Sequence, residues 1–144
     1  MSISRLDEFE SIGWDFDGTI HDHPKSQLMH AYIRDNPEKS HYIVTFRSHG
    51  MEKRVWDELA QYPDAPGADA FVEIINMSND MFVEGYMSQS SSGQSIVIPT
   101  LAYKEWKGKV CSENGIGILI DDMTHDVFPG CNRYGVVHIH PDDL

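Results

Sequence analysis

Ile12-Gly13-Trp14-Asp15-Phe16-Asp17-Gly18-Thr19-Ile20 decides how the rest of this chain is read. The apolar run 12–16 ends in Asp17-Gly18-Thr19, the pattern of a buried strand that passes into a turn at its carboxyl end. An apolar strand leading straight into two acids distinguishes them from a solvated Asp-Gly hairpin turn. Downstream, Pro24 opens a helix in which Leu28, Met29, Tyr32 and Ile33 recur at helical spacing until Asn36-Pro37 stops it. A second strand over 41–46 follows, then Ser48 as helix cap and Met51, Val55, Trp56 and Leu59 on one helical face. Residues 62–67 read as a loop, 71–75 as a third strand, 88–95 as a polar, mobile surface loop and 96–98 as a brief extra strand. The pattern predicts a helix over 101–112, an aliphatic buried strand over 116–120 and a last strand over 134–139. Strands alternating with helices predict an α/β fold: a three-layer Rossmann-like domain with a central, mainly parallel sheet flanked by helices.

The 144 residues suit one domain over 1–144, with room for a small insertion at about 77–100. Acidic residues outnumber basic ones 23 to 11, a net charge of -12 that repels phosphodiester backbones. Cys111 and Cys131 lie outside any zinc-ligand spacing and read as reduced thiols. No apolar stretch approaches the length of a bilayer span, and acids occupy the first ten residues where a signal peptide needs an apolar run. A soluble, cytoplasmic protein without a membrane partner is expected.

In a sheet of this kind ligands bind outside the carboxyl ends of the strands. Asp15 and Asp17 follow the first strand, Thr45 and Arg47 close the second, and Asp121, Asp122 and Asp126 follow the aliphatic run. Such acids, if gathered, concentrate negative charge that calls for a counter-ion. Their ligand atoms are all oxygens, which suits Mg²⁺ better than Zn²⁺ and implies a phosphate ester or anhydride as substrate. His21-x-His23 and His138-x-His140 do not complete a transition-metal site and read as ordinary polar or half-buried residues, and Trp14, Trp56 and Trp106 as packing.

Trp14-Asp15-Phe16-Asp17-Gly18-Thr19-Ile20 resembles the first motif of the haloacid dehalogenase superfamily. Tyr42-Ile43-Val44-Thr45 resembles the second motif, and Leu119-Ile120-Asp121-Asp122-Met123-Thr124-His125-Asp126 the fourth. Lys104 is placed for the third, with Lys107 and Lys109 as neighbours on the same helix. The resemblance implies a phosphatase in which Asp15 attacks phosphorus and Asp17 acts as general acid and base. It further implies that Thr45 and Lys104 contact the phosphoryl group, that Gly18 and Thr19 supply a phosphate-binding turn, and that Arg47 adds a phosphate contact. Asp15, Asp17 and Asp122 would hold Mg²⁺, with Asp121 direct or through water, and Asp126 would orient the shell or Lys104. Dehalogenase members lack the second acid, so Asp17 points to phosphoryl chemistry.

The gaps between motifs leave no room for a large cap, so the site is expected to be open. The segments around Thr45-Phe46-Arg47 and Asp121-Asp122 are also loosely similar to the phosphatase half of polynucleotide kinase-phosphatase. The net charge favours a small phosphorylated substrate over a nucleic-acid 3'-end. A phosphate- or Mg²⁺-binding relative without turnover is the alternative of another class, disfavoured by intact Asp15 and Asp17. A neighbouring subunit could cover so open a site, so an oligomer remains compatible.

Overall fold

The computed structural model describes residues 3–77, 87–89, 95–97 and 101–144. Five strands form an all-parallel sheet: β1 (Ser11–Trp14), β2 (Ser40–Ser48), β3 (Glu73–Met77), β6 (Ile118–Ile120) and β7 (Val137–Ile139), in the order β3-β2-β1-β6-β7. From β1 the chain first builds outward through β2 to β3, then returns to the other side of β1 with β6 and β7. That reversal beside β1 opens the crevice in which α/β proteins bind ligands.

Strand periodicity divides the core into two layers. Ile12, Trp14, Ile43, Ile118 and Ile120 point to one face, where α1 (Ser26–Asp35) contributes Met29, Tyr32 and Ile33 and α2 (Glu52–Leu59) contributes Val55 and Leu59. Val44 and Leu119 point to the other face, against Trp106 and Cys111 of α3 (Leu101–Glu113) and Val127 and Cys131 of α4 (Thr124–Tyr134). The expected three-layer α/β architecture is present. Among the described residues no helix is long and apolar enough to cross a membrane.

Several boundaries differ from expectation, for identifiable reasons. The strand expected over 116–120 begins at Ile118 because α3 ends in a left-handed Gly115, φ +71°, with the Ile116 amide donating to the Cys111 carbonyl at 2.8 Å and that of Gly115 to Ser112 at 3.2 Å. The strand expected over 134–139 begins at Val137 for a similar reason: Gly135 caps α4 at φ +72° and the Val136 amide donates to Cys131 at 2.9 Å. Ile116 and Val136 are buried in the second core layer. Their apolarity belongs to helix stops, not strands. Helix α4 lies between the last two expected strands and carries Pro129 and Gly130 inside it. The third strand runs two residues later than 71–75, because Phe71 turns inward against Trp56, ring centroids 5.6 Å apart.

Within the expected insertion, β4 (Met87–Gln89) and β5 (Ser95–Val97) pair antiparallel, so part of the expected loop is strand and the extra strand starts one residue early. The rest of the loop expected over 88–95, and most of the insertion, lie outside the described residues.

Helices α3 and α4 meet backbone to backbone. A Cβ on Gly108 would stand 2.1 Å from the carbonyl carbon of Gly130, and one on Gly130 would stand 2.5 Å from Cα of Glu105. Gly108→Ala is therefore expected to lower unfolding free energy by about 1–3 kcal/mol despite alanine's better helix propensity, as measured by urea titration.

Two buried histidines make the fold sensitive to acid. Trp14 Nε1 donates to His41 Nδ1 at 3.1 Å, so the neutral ring turns Nε2–H to the Asn36 carbonyl at 3.0 Å. His30 donates from Nε2 to the Ile20 carbonyl at 2.7 Å while its Nδ1 is buried without a hydrogen bond. Burial lowers the pKa of both rings below the ordinary histidine value of about 6.5. The unfolded chain takes up these protons first, so stability is full above pH ~6.5 and falls as pH drops below it. Urea midpoints taken from pH 7.5 to 5 should show this fall, flattened in the double variant His30→Gln, His41→Gln.

Candidate functional site

The ladder carries two aspartates to the carboxyl edge of the sheet. The Asp15 amide, just past β1, donates to the Ile120 carbonyl at 2.9 Å, and the Asp121 amide, just past β6, donates to Ile139 at 3.1 Å. After Asp15 the chain folds into a tight turn in which the Gly18 amide donates to the His21 carbonyl at 2.8 Å. Gly18 has φ +79° and sits against Asp122, where a Cβ would lie 2.3 Å from Oδ2. The left-handed backbone favours glycine there, and a side chain would displace the Asp122 carboxylate.

Lys107 reaches this edge from α3. Its ammonium donates to Asp15 Oδ1 at 2.7 Å and to Asp121 Oδ2 at 2.6 Å, and lies 4.4 Å from the centroid of the Phe46 ring. The lysine side chain is 1% exposed and those of Asp15 and Asp121 are 7% and 0% exposed. Thr19 Oγ1 donates to the other Asp15 oxygen at 3.1 Å, and the Met123 amide to the other Asp121 oxygen at 2.8 Å. His138 Nε2 bonds the Asp121 carbonyl at 2.8 Å. Of the three aspartates Asp15, Asp121 and Asp122, it is Asp122 that keeps a buried oxygen, Oδ1, without a hydrogen bond among the described residues.

Burial, then the neighbouring Asp121 carboxylate, raise the Asp15 carboxyl well above the ordinary carboxylate range, against the pull of Lys107. Burial works to lower the Lys107 ammonium, but the Asp121 and Asp15 carboxylates outweigh it and its pKa is raised. One oxygen each from Asp15, Asp121 and Asp122 lie within 4.8 Å of one another. Three carboxylates facing one ammonium leave negative charge uncompensated, and a hard oxygen-only set with one orphaned buried oxygen fits a divalent cation such as Mg²⁺. An open cavity of about 300 Å³ lies over Asp15, Thr45, Phe46 and Lys107. A second, of about 290 Å³, adjoins it between Asp122, the first turn of α4 and His140.

The residues expected at the site divide into those that converge and those that do not. Asp15, Asp121, Asp122 and Thr45 converge. Lys107, not Lys104, makes the ammonium contacts: Lys104 lies one turn earlier and about 60° round the helix, half-buried, while Lys109 is exposed. Thr19 is fully buried and bonds Asp15 instead of facing the cavity, and the Gly18 and Thr19 amides are engaged within the turn. Asp17 borders the cavity, but Arg47 grips its carboxylate, at 2.8 Å from Nε and 2.7 Å from Nη2, so Arg47 does not stand free for phosphate. Asp126 lies in the first turn of α4, outside the carboxylate cluster. His138, expected as an ordinary polar or half-buried residue, is half-buried and bonds the Asp121 carbonyl from beneath. The helical phase of Trp106, Lys107 and Cys111, all buried, was the signal that singles out Lys107.

Removing a buried cation between two carboxylates leaves them uncompensated. Lys107→Met should lose about 3–5 kcal/mol of unfolding free energy at neutral pH and recover part of it on acidification, while Lys104→Met should shift it by less than ~0.5 kcal/mol. In chelator, Asp15→Asn should melt above the wild type at neutral pH. Because the Asp15 pKa is raised on folding, the wild type loses stability as pH rises from ~4, so that gap should close toward pH 4. No family model, curated protein or solved structure matches this chain.

Proposed function

We propose that this chain is a Mg²⁺-dependent phosphohydrolase of the haloacid dehalogenase type that acts on a small phosphomonoester through an aspartyl-phosphate on Asp15. The observation that carries the reading is the meeting of Asp15 with Lys107 and Asp121 at the sheet edge, at 2.7 and 2.6 Å from the shared ammonium, beneath an open cavity. A nucleophilic carboxylate needs a nearby fixed cation to let a phosphate dianion approach, and Lys107 supplies one.

Asp15, Asp122 and the Asp17 carbonyl, with Asp121 directly or through water, would hold Mg²⁺, which supplies further neutralisation of the phosphoryl oxygens. An Asp15 oxygen attacks phosphorus in line as the bond from phosphorus to the ester oxygen breaks, and that oxygen leaves with a proton from Asp17. Water then attacks the phosphorus of the aspartyl-phosphate and gives its proton to Asp17. The Asp15 carboxylate is restored and inorganic phosphate released. Thr45 presents its hydroxyl to the phosphoryl group; its oxygen already accepts the Arg47 amide at 3.1 Å, leaving the hydroxyl proton to donate. Lys107 spreads the charge of the transferred group.

The cavity volume suits a phosphate with a modest organic group, and the net charge of -12 favours a nucleotide or sugar phosphate over a polymer. The buried free thiols of Cys111 and Cys131 support a reducing compartment such as the cytoplasm. A panel of phosphomonoesters beside a 3'-phosphorylated oligonucleotide, with Mg²⁺ supplied, tests both points. Small esters should turn over best, EDTA should abolish hydrolysis and Mg²⁺ restore it, and Asp15→Asn should lower turnover at least ~1,000-fold. Chelator-insensitive turnover would reject the metal, and unchanged turnover in Asp15→Asn would reject the nucleophile.

A further inference from the structure

Between Thr45 and Ser48 the register of β2 against β3 shifts, a bulge that re-aims the side chains at the strand end. Asn76 of β3 holds the bulge by donating from Nδ2 to the carbonyls of Arg47 and Ser48 at 3.2 and 3.4 Å. Arg47 is thereby directed across the Phe16 ring, its guanidinium carbon 4.9 Å from the centroid. Nε and Nη2 donate to the two oxygens of Asp17, and Nη1 ion-pairs with Glu58 of α2 at 2.7 Å without hydrogen-bond alignment. Both edges and one face of the guanidinium are therefore occupied, and its side chain is only 15% exposed. A phosphate ligand needs a free fork. The Asp17 side chain, by contrast, is 53% exposed on a turn and would sample several rotamers if released.

We propose that Arg47 is a positioning residue that aims the Asp17 carboxyl at the leaving-group oxygen, and not a phosphate ligand. The role rests on the phosphohydrolase reading above. In the free protein Arg47 engages both Asp17 oxygens. On substrate binding one oxygen stays on the guanidinium as a pivot, and the other, released from Arg47, takes up a proton from solvent and turns to the ester oxygen. As the bond from phosphorus to that oxygen breaks, the proton passes from Asp17 to the departing alcohol; in the second step Asp17 takes one back from water. Glu58 and the Phe16 ring keep the guanidinium from following the acid.

The discriminating measurement is kcat/KM, which covers only the steps through alcohol release, on two esters. An alkyl phosphate cannot expel its alkoxide without a proton, whereas a nitrophenyl phosphate can. Arg47→Met should lower kcat/KM about 100-fold or more on the alkyl ester and less than ~10-fold on the aryl ester, with inhibition by inorganic phosphate unchanged within ~3-fold. Asp17→Asn should show the same pattern, and the double variant should be no worse than Asp17→Asn alone. Glu58→Gln, away from the reacting atoms, should give a smaller loss with the same leaving-group dependence, and serves if Arg47→Met does not fold. Equal losses on both esters with weakened phosphate inhibition, or full additivity with Asp17→Asn, would overturn the positioning role while the phosphohydrolase reading stands. A wild-type protein that turns over neither ester would overturn both.

Discussion

A single buried ammonium organises one end of this molecule. Lys107 enters from a helix on one face of the sheet and meets carboxylates that close two adjacent strands, Asp15 and Asp121, 106 positions apart at the ends of β1 and β6. Neither acid could remain ionised in so dry a place alone, and the lysine could not remain charged there without them. The charges make the edge of the sheet a chemical surface. Their burial is costly, and that burial, with the neighbouring Asp121, raises the Asp15 carboxyl against the pull of Lys107. The donors on the outer oxygens of Asp15 and Asp121, Thr19 and the Met123 amide, fix both carboxylates in place.

The position of that ammonium depends on backbone contacts elsewhere. Gly108 follows Lys107 directly and lies against Gly130 of α4 with no space for a side chain. The two helices therefore cannot slide past one another without opening that contact, and the lysine is held at one height above the sheet. Sequence, packing and electrostatics meet in three consecutive residues: Trp106 fills the core, Lys107 carries the charge and Gly108 sets the depth.

Much of the fold was legible because its main signals are local. The apolar run into Asp17-Gly18-Thr19 marks Ile12 to Trp14, an aliphatic run marks Ile118 to Ile120, and helical spacing marks α1 and α2. Misreadings arose where one residue type serves two purposes. Ile116 and Val136 read as strand but cover helix ends. At the site, the acids were legible because an apolar strand runs directly into them. The lysine is harder to read, because three lysines share one helix and only the helical phase it shares with the apolar Trp106 and Cys111 separates Lys107 from the other two. The roles of Thr19 and Arg47 were likewise hidden: hydroxyl and guanidinium groups bond whatever is nearest, and the nearest partner is a matter of tertiary placement.

The turn after β1 is fastened from several directions. Ser26 Oγ donates to the Thr19 carbonyl at 2.6 Å, Tyr62 accepts the Asp22 amide at 2.7 Å, and His23 bonds Asp142 at 2.8 Å. Lys25 Nζ bonds the Asp142 and Leu144 carbonyls at 2.8 and 2.6 Å. Lifting such a segment means breaking all of these together, so it behaves as masonry and not as a hinged door. The opposite lip of the cavity is apolar, with Phe46 braced by Tyr103, ring centroids 4.4 Å apart, and Met123 half uncovered. The doorway thus has one stone jamb and one oily jamb.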